Sequence, residues 1–177
     1  MRSPYAPRVL RLALARIRLR GRLTAAARAQ LGRGVRLDLA PGAHLSLGER
    51  ARVGEGCRFH LGAGASVSIG AYARLGERCV IAAHERIEIA AGARLDDEVV
   101  LIDFDHDLRD VERPVREQGI VTAPVIVGER ASIGAAAGVL RGVTIGAGAR
   151  IGVRAVVTHD VPAGARAEGV PARVQAG

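Results

Sequence analysis

Between Val127 and Val157 every sixth residue is a branched aliphatic: Val127, Ile133, Val139, Ile145, Ile151 and Val157. The residue after it is usually glycine (Gly128, Gly134, Gly146, Gly152). The fifth residue of each hexad is small or β-branched: Ala131, Ala137, Val143, Ala149, Ala155. A period of six fits neither an amphipathic helix nor a plain alternating strand. It suits a β-solenoid in which each hexad forms one flat side of a coil and three hexads close a triangular turn. The aliphatic residue then points into the prism and the small residue fits inside near the corner. The glycine is expected to relax the backbone where the chain turns. This run supplies about two coils.

The pattern continues upstream with interruptions. Leu47 to Arg52 and Val53 to Arg58 are hexads, after which two-residue slips reset the frame at Leu61 and at Ile69. Ile69, Leu75 and Ile81 keep step, and after a further slip so do Ile89, Leu95 and Leu101. Coils stack through main-chain hydrogen bonds ~4.8 Å apart, so slips are expected at corners and not along flat sides. The stretch from Leu45 to Leu101 adds roughly three coils. Residues 102–124, between the two blocks, are polar, acidic and out of period. Such an insertion becomes a loop projecting from one edge, where binding functions commonly sit.

The chain's 177 residues suit one domain. Its parts are a basic helical arm over 1–33, a solenoid over 34–173 and a short tail over 174–177. With no Trp and only 2% aromatic residues, the core must be aliphatic, as a narrow prism requires. Cys57 and Cys79 occupy the fifth, inward position of their hexads, where Ala or Val serves elsewhere. They read as small buried hydrophobes, not as a disulfide or a metal-ligand pair.

Charge is uneven along the chain. Residues 1–33 hold nine arginines and no acid, whereas the remaining 17 arginines face all 18 acids, so the net +8 lies in the arm. Val9, Leu10, Leu12, Ala13, Leu14, Ile17 and Leu19 alternate with Arg8, Arg11, Arg16, Arg18, Arg20 and Arg22, which reads as a helix of modest amphipathicity. Charges this frequent exclude a transmembrane span, and the arm lacks the apolar core and cleavage site of a signal peptide. Capping the open end of the solenoid is its first reading. Lying on an anionic membrane surface, at the inner face of a cytoplasmic compartment, is the second. Nucleic-acid binding is set aside, because stacking aromatics are missing.

Chemistry is expected in the loop, at Asp103-Phe104-Asp105-His106-Asp107. A carboxylate bonded to one ring nitrogen of a histidine leaves the other free as a base. Asp103, Asp105 or a backbone carbonyl would each serve as the orienting group for His106.

The segment Asp103-Phe104-Asp105-His106, the stretch Pro114 to Gly119, and Pro124-Val125-Ile126-Val127-Gly128 together resemble the hexapeptide-repeat acyltransferases. Within them the resemblance is to the maltose, galactoside and exopolysaccharide O-acetyltransferases. It continues through Gly142-Val143-Thr144-Ile145-Gly146, Val156-Val157-Thr158-His159-Asp160-Val161-Pro162 and the closing Gly169-Val170-Pro171-Ala172-Arg173. The resemblance implies an all-β, left-handed parallel β-helix that forms a homotrimer with active sites between subunits. It places the catalytic base on His106, which would take a proton from a sugar or glycan hydroxyl attacking acetyl-CoA. It puts oxyanion donors at the backbone near Gly134 and Ala135, pantetheine past Ala135 and Val153, and the nucleotide near Thr158, His159 and Arg173. His84, Glu85 and Asp105 become candidate contacts to the acceptor, although His84 and Glu85 read first as a corner pair. No metal is expected.

Two other classes compete. A zinc enzyme on the same scaffold, as in the γ-type carbonic anhydrases, needs three converging histidines, and the hexad offsets of His60, His84 and His106 differ. A non-catalytic trimeric scaffold or membrane-associated assembly module would bind no coenzyme A and would tolerate loss of the loop histidine.

Overall fold

The computed structural model describes residues 8–108, 112, 114 and 117–175. The first seven residues of the arm, positions 109–111, 113, 115 and 116 of the loop, and the last two residues of the tail lie outside the described residues.

Short strands stack in parallel to make the three faces of a prism. Sheet A contains β1 (Leu23–Ala25), β4 (His44–Leu47), β7 (Ser66–Ile69), β10 (Arg86–Ile89), β15 (Val125–Val127) and β18 (Thr144–Ile145). Sheet B contains β2 (Gln30–Leu31), β5 (Arg52–Val53), β8 (Arg74–Leu75), β11 (Arg94–Leu95), β16 (Ser132–Ile133) and β19 (Arg150–Ile151). It ends in the antiparallel pair β21 (Arg166–Gly169) and β22 (Ala172–Val174). Sheet C contains β3 (Arg36–Leu39), β6 (Arg58–Leu61), β9 (Val80–Ala83), β12 (Val100–Ile102), β17 (Gly138–Val139) and β20 (Val156–Val157). The chain is thus the parallel β-solenoid that the hexads predict.

Register gives the length of each coil. Leu23 pairs with Leu45, Leu45 with Val67, and Val67 with Ile87, so the coils shorten from 22 residues to 20. Ile126 pairs with Thr144, 18 residues on, and Ile145 bridges Val161 after 16. The prism tapers toward its C-terminal end. Its interior is aliphatic, with Leu45, Leu61, Ile81, Ile87, Leu101, Val125, Val139 and Ile145 fully buried and Phe59 the one large ring among the core residues.

Two of the upstream slips fall where they were not expected. Those at Leu61 and Ile69 lie inside β6 and β7, which run to four residues where the strands of the last coils have two. Adding two residues keeps the in–out alternation of a strand, so no side chain changes face. Neighbouring coils carry the same addition: Leu39 pairs with Leu61 and Leu61 with Ala83, while Leu47 pairs with Ile69 and Ile69 with Ile89. Only the third slip is at a corner, where His84-Glu85 replaces a longer turn.

The hexad glycines also work differently from expectation. Left-handed backbone falls on the fourth residue of the hexad, at Arg130, Ala136, Gly142, Gly148 and Arg154. Gly128 is needed for space: a Cβ there would stand 2.6 Å from the backbone nitrogen of Ala147 in the next coil.

The solenoid begins at Leu23, not at residue 34 as the charge distribution suggests. Leu23, Ala29 and Leu31 are buried and already follow the inward pattern, while Arg28 and Arg33 sit outside. Among the described residues of the arm only α1 (Arg8–Arg18) is helical. Its inner face packs Leu12 on β1 and β2 with Leu19 just beyond it, closing the open end of the prism. Leu10, Leu14 and Ile17, one helical turn apart, remain 47%, 56% and 75% exposed.

Candidate active site

The largest interruption of the solenoid leaves the C–A corner of the fourth coil. There β12 ends and the chain leaves as an antiparallel hairpin, β13 (Phe104–His106) against β14 (Ile120–Thr122), before rejoining sheet A at β15. His106 pairs with Ile120 in this hairpin and is exposed to solvent. The Asp105 carboxylate accepts the backbone N–H of His106 at 2.8 Å, which fixes the local turn.

Departure of the chain leaves a problem in the coil beneath. The N–H groups that open and follow a solenoid corner normally donate to the coil above, as Gly62 does to Ala83 O and Ser66 to Glu85 O, and a buried donor without a partner is costly. Asp103 solves this. Its side chain is fully buried, and its two oxygens accept from the backbone N–H of His84 at 2.7 Å, Glu85 at 2.9 Å and Arg86 at 2.7 Å. Asp103 therefore pins the hairpin to the shortened corner below. It does not orient the His106 ring, since its carboxylate is committed to the corner. Above that corner, His84 lies edge-on to Phe104 with ring centroids 4.3 Å apart. Gly62, one coil below, leaves room for it: a Cβ there would come within 2.6 Å of the imidazole. His84 and Glu85 thus form the floor of the hairpin that carries His106.

Gly134, Ala135 and Val153 come together at the opposite edge of sheet C, on the B–C corner of successive coils. Here the structure separates two donors that the sequence treats as one. The Gly134 N–H bonds Ile151 O at 2.9 Å and belongs to the coil ladder. The Ala135 N–H makes no hydrogen bond among the described residues, as is usual in this solenoid for the second residue of a corner, such as Ala71, Glu129 and Ala147. Two coils earlier the equivalent N–H, that of Glu77, donates to the Asp97 carboxylate at 2.7 Å. At Ala135 the residue above is Val153, which offers no acceptor and is 65% exposed. This corner N–H is thus open to an oxygen from outside, beside an exposed apolar side chain.

Thr158 and His159 lie on the same edge of sheet C as the hairpin, with Thr158 Oγ1 2.9 Å from His159 Nδ1. Arg173 is on β22, paired opposite Glu168 at the end of sheet B. Within one chain the expected coenzyme residues therefore form two groups at opposite edges of sheet C, with Arg173 apart from both. Among the described residues no three His, Cys, Asp or Glu side chains converge as a metal site would require.

One feature escaped the sequence reading. The tetrads Ala51-Arg52-Val53-Gly54, Ala73-Arg74-Leu75-Gly76, Ala93-Arg94-Leu95-Asp96 and Ala149-Arg150-Ile151-Gly152 repeat once per coil. They place Arg52, Arg74, Arg94 and Arg150 in one column on the outside of sheet B, interrupted by Ser132. The signal was in the sequence, but the unequal coil lengths hid its alignment.

No family model matches the chain. A Mycobacterium tuberculosis protein named "probable acetyltransferase" is 40% identical over 95 residues, which is 54% of this chain and 32% of that protein. A 2,3,4,5-tetrahydropyridine-2,6-dicarboxylate N-acetyltransferase of Staphylococcus aureus is 50% identical over 52 residues, 29% of this chain and 22% of that one. The chain thus matches a third or less of the length of these curated relatives. Among solved structures, AntD, an N-acyltransferase from Bacillus cereus in complex with dTDP and 3-hydroxybutyryl-CoA, aligns with a TM-score of 0.76 at 20% identity, covering 99% of this chain and 89% of that one. A hexapeptide-repeat containing acetyltransferase from Vibrio cholerae, complexed with acetyl coenzyme A, aligns with a TM-score of 0.65 at 25% identity, covering 73% of this chain and 69% of that one. The architecture is that of the hexapeptide-repeat acetyltransferases.

Proposed function

We propose that this chain is an acetyl-CoA-dependent O-acetyltransferase that acts on a hydroxyl of a sugar or polysaccharide precursor, with His106 as the general base. The observation that carries this reading is the complementarity of the two edges of sheet C. One edge projects a hairpin bearing an exposed imidazole. The other presents the unpartnered N–H of Ala135 beside the exposed apolar Val153. A base and an oxyanion donor are the two groups that acyl transfer from a thioester requires.

A single chain keeps these halves apart, so the complete site forms between subunits. The outer surface of sheet C in the later coils supports such an assembly, because Val80, Val100, Ile102, Leu140 and Val156 make it apolar there, whereas its first two strands expose Arg36, Asp38, Arg58 and His60. Packing these faces around a three-fold axis brings the hairpin of one subunit toward the B–C corner of the next. In the reaction, His106 takes the proton of the acceptor hydroxyl as its oxygen attacks the thioester carbon. The oxyanion is met by the Ala135 N–H, and collapse expels the coenzyme A thiolate. Val153 flanks the pantetheine; Thr158 and His159, at the hairpin edge of sheet C, and Arg173, at the end of sheet B, are the residues proposed to meet the nucleotide.

AntD transfers an acyl group to nitrogen, as its name states. A hydroxyl acceptor is favoured here because a loop imidazole provides the base that a weakly acidic hydroxyl needs. The arm is read as a cap that also touches anionic lipid through its outer face, placing the enzyme at the inner face of a membrane. No helix among the described residues is long and apolar enough to cross one.

The test is thermal denaturation with and without coenzyme A. A ligand of the native state must raise the melting temperature by linkage. An upward shift with coenzyme A that is diminished in Val153→Asp supports the reading. Absence of any shift at millimolar coenzyme A favours a non-catalytic scaffold.

A further inference from the structure

The arginine column of sheet B carries a cost that no ion pair among the described residues offsets at Arg52, Arg74, Arg94 or Arg150. Like charges directly opposite each other on neighbouring strands are destabilising. Parallel register sets Arg52 against Arg74 and Arg74 against Arg94, each one strand spacing from the next. Among the described residues none of these three, nor Arg150, has a carboxylate within ion-pair distance; only Arg166, at the end of the column, is paired, to Glu168. Other surface arginines do find partners, as Arg78 does with Glu77 and Glu98 and Arg86 with Glu88. Arg36 and Arg58 on sheet C also stand opposite each other without an ion-pair partner among the described residues; what marks sheet B is that three such arginines follow one another in consecutive coils.

The column also borders a trough. Next to it runs a row of Gly32, Gly54 and Gly76, which the coil stacking requires: a Cβ on Gly54 would stand 2.1 Å from Gly76 O. Arginine on one side and bare backbone beside it give an open groove of about 610 Å³ lined by Arg52, Arg74, Arg94, Asp96, Asp97 and Ala135. Its two carboxylates, Asp96 and Asp97, face three arginines, so the lining keeps a net positive charge, and Asp97 already accepts the Glu77 N–H. The groove thus runs along successive coils and reaches Ala135, the residue proposed above to meet the acyl oxyanion.

We infer that this arginine track binds a linear anionic glycan, and that this glycan is the acceptor. The inference rests on the acyltransferase reading for the word acceptor, but the binding does not. Guanidinium groups recognise carboxylate and phosphate in bidentate fashion. A row of them one coil apart suits a chain with repeated anionic groups better than it suits a compact ligand. A polynucleotide is the lesser candidate, because the groove has no aromatic side chain on which a base would stack.

The experiment uses the full-length protein and fluorescently labelled oligogalacturonate, its fully methyl-esterified neutral counterpart, inorganic polyphosphate and a single-stranded oligonucleotide. Binding is measured for the wild type, for R52Q/R74Q/R94Q, and for R16Q/R18Q/R20Q, which removes the same charge from the arm. The wild type is expected to bind the oligogalacturonate about tenfold or more tightly than the ester, and the track variant to lose that preference. The arm variant should stay within about threefold of wild type. Polyphosphate binding above that of oligogalacturonate, lost in the same variant, assigns phosphate and not carboxylate as the anionic group. Equal loss in both variants would reduce the effect to net charge and overturn the inference. So would equal binding of acid and ester, or tighter track-dependent binding of the oligonucleotide. The coenzyme A shift in melting temperature, measured on the same proteins, should persist in the track variant. If the wild type shows no such shift but binds the glycan through the track, acyl transfer fails and the binding site stands.

Discussion

The carboxylate of Asp103 lies one coil above His84 and accepts its backbone N–H at 2.7 Å, with Glu85 and Arg86 completing the set. One side chain thus supplies the acceptors that the missing stretch of coil would have provided. Asp103→Ala should leave three donors unsatisfied at about 1–3 kcal/mol each when buried. A fall in stability of several kcal/mol in urea titration is expected, together with loss of hairpin protection in hydrogen exchange. A change below about 0.5 kcal/mol would contradict the anchoring role.

Glycine placement makes a paired prediction. Gly128→Ala forces a Cβ against the Ala147 backbone at 2.6 Å, and should cost about 1–3 kcal/mol as overpacking does. Arg130 holds a φ of 55° only two residues on. Arg130→Gly relieves that strain and should be neutral or stabilising, by up to about 1 kcal/mol. Chemical denaturation of the two variants decides which hexad position needs glycine.

The thiols give a pH dependence. Cys57 and Cys79 are fully buried. Contact with the Cys57 thiol, and then burial, push the Cys79 thiol well above its usual 9.0. A folded-state pKa raised in this way means that the unfolded chain ionises first. The contribution to stability is complete below pH 9.0 and is lost as pH rises beyond it. At pH 8 neither thiol should react with a disulfide reagent in the native protein, and both should react in denaturant. Rapid native labelling would contradict the packing described.

The arm separates into two faces that substitution can tell apart. Leu14→Ser with Ile17→Ser alters the exposed stripe and should abolish sedimentation with phosphatidylserine vesicles while leaving the melting temperature unchanged. Leu12→Ser alters the capping face and should lower the melting temperature. Unchanged sedimentation of the first variant would remove the membrane role.

The coil architecture was legible in the sequence because each side of the prism is only six residues long. The burial rule therefore repeats many times within local sequence, and Val127 to Val157 states it without interruption. The start of the solenoid was obscured by charge: Arg28 and Arg33 drew attention away from Leu23, Ala29 and Leu31, which carry the inward pattern. The role of Asp103 was hidden for another reason. Proximity in sequence suggested His106, whereas the hydrogen-bond deficit it answers lies 17 to 19 residues earlier, in the coil below. The arginine track required register, and register depends on the additions at Leu61 and Ile69 that lengthen the early coils. His106 itself was found from the resemblance and from its place in the largest break. The separation of the two proposed half-sites across sheet C could be seen only once the coils were stacked.

The central claim is acyl transfer with His106 as base. Its most direct test is release of free thiol from acetyl-CoA in the presence of a panel of sugar and glycan acceptors, comparing wild type with His106→Ala. The account predicts acceptor-dependent release that falls by about 10²-fold or more in the variant, with its melting temperature unchanged. Release that survives the substitution, or no acceptor-dependent release from the folded wild type, would contradict it.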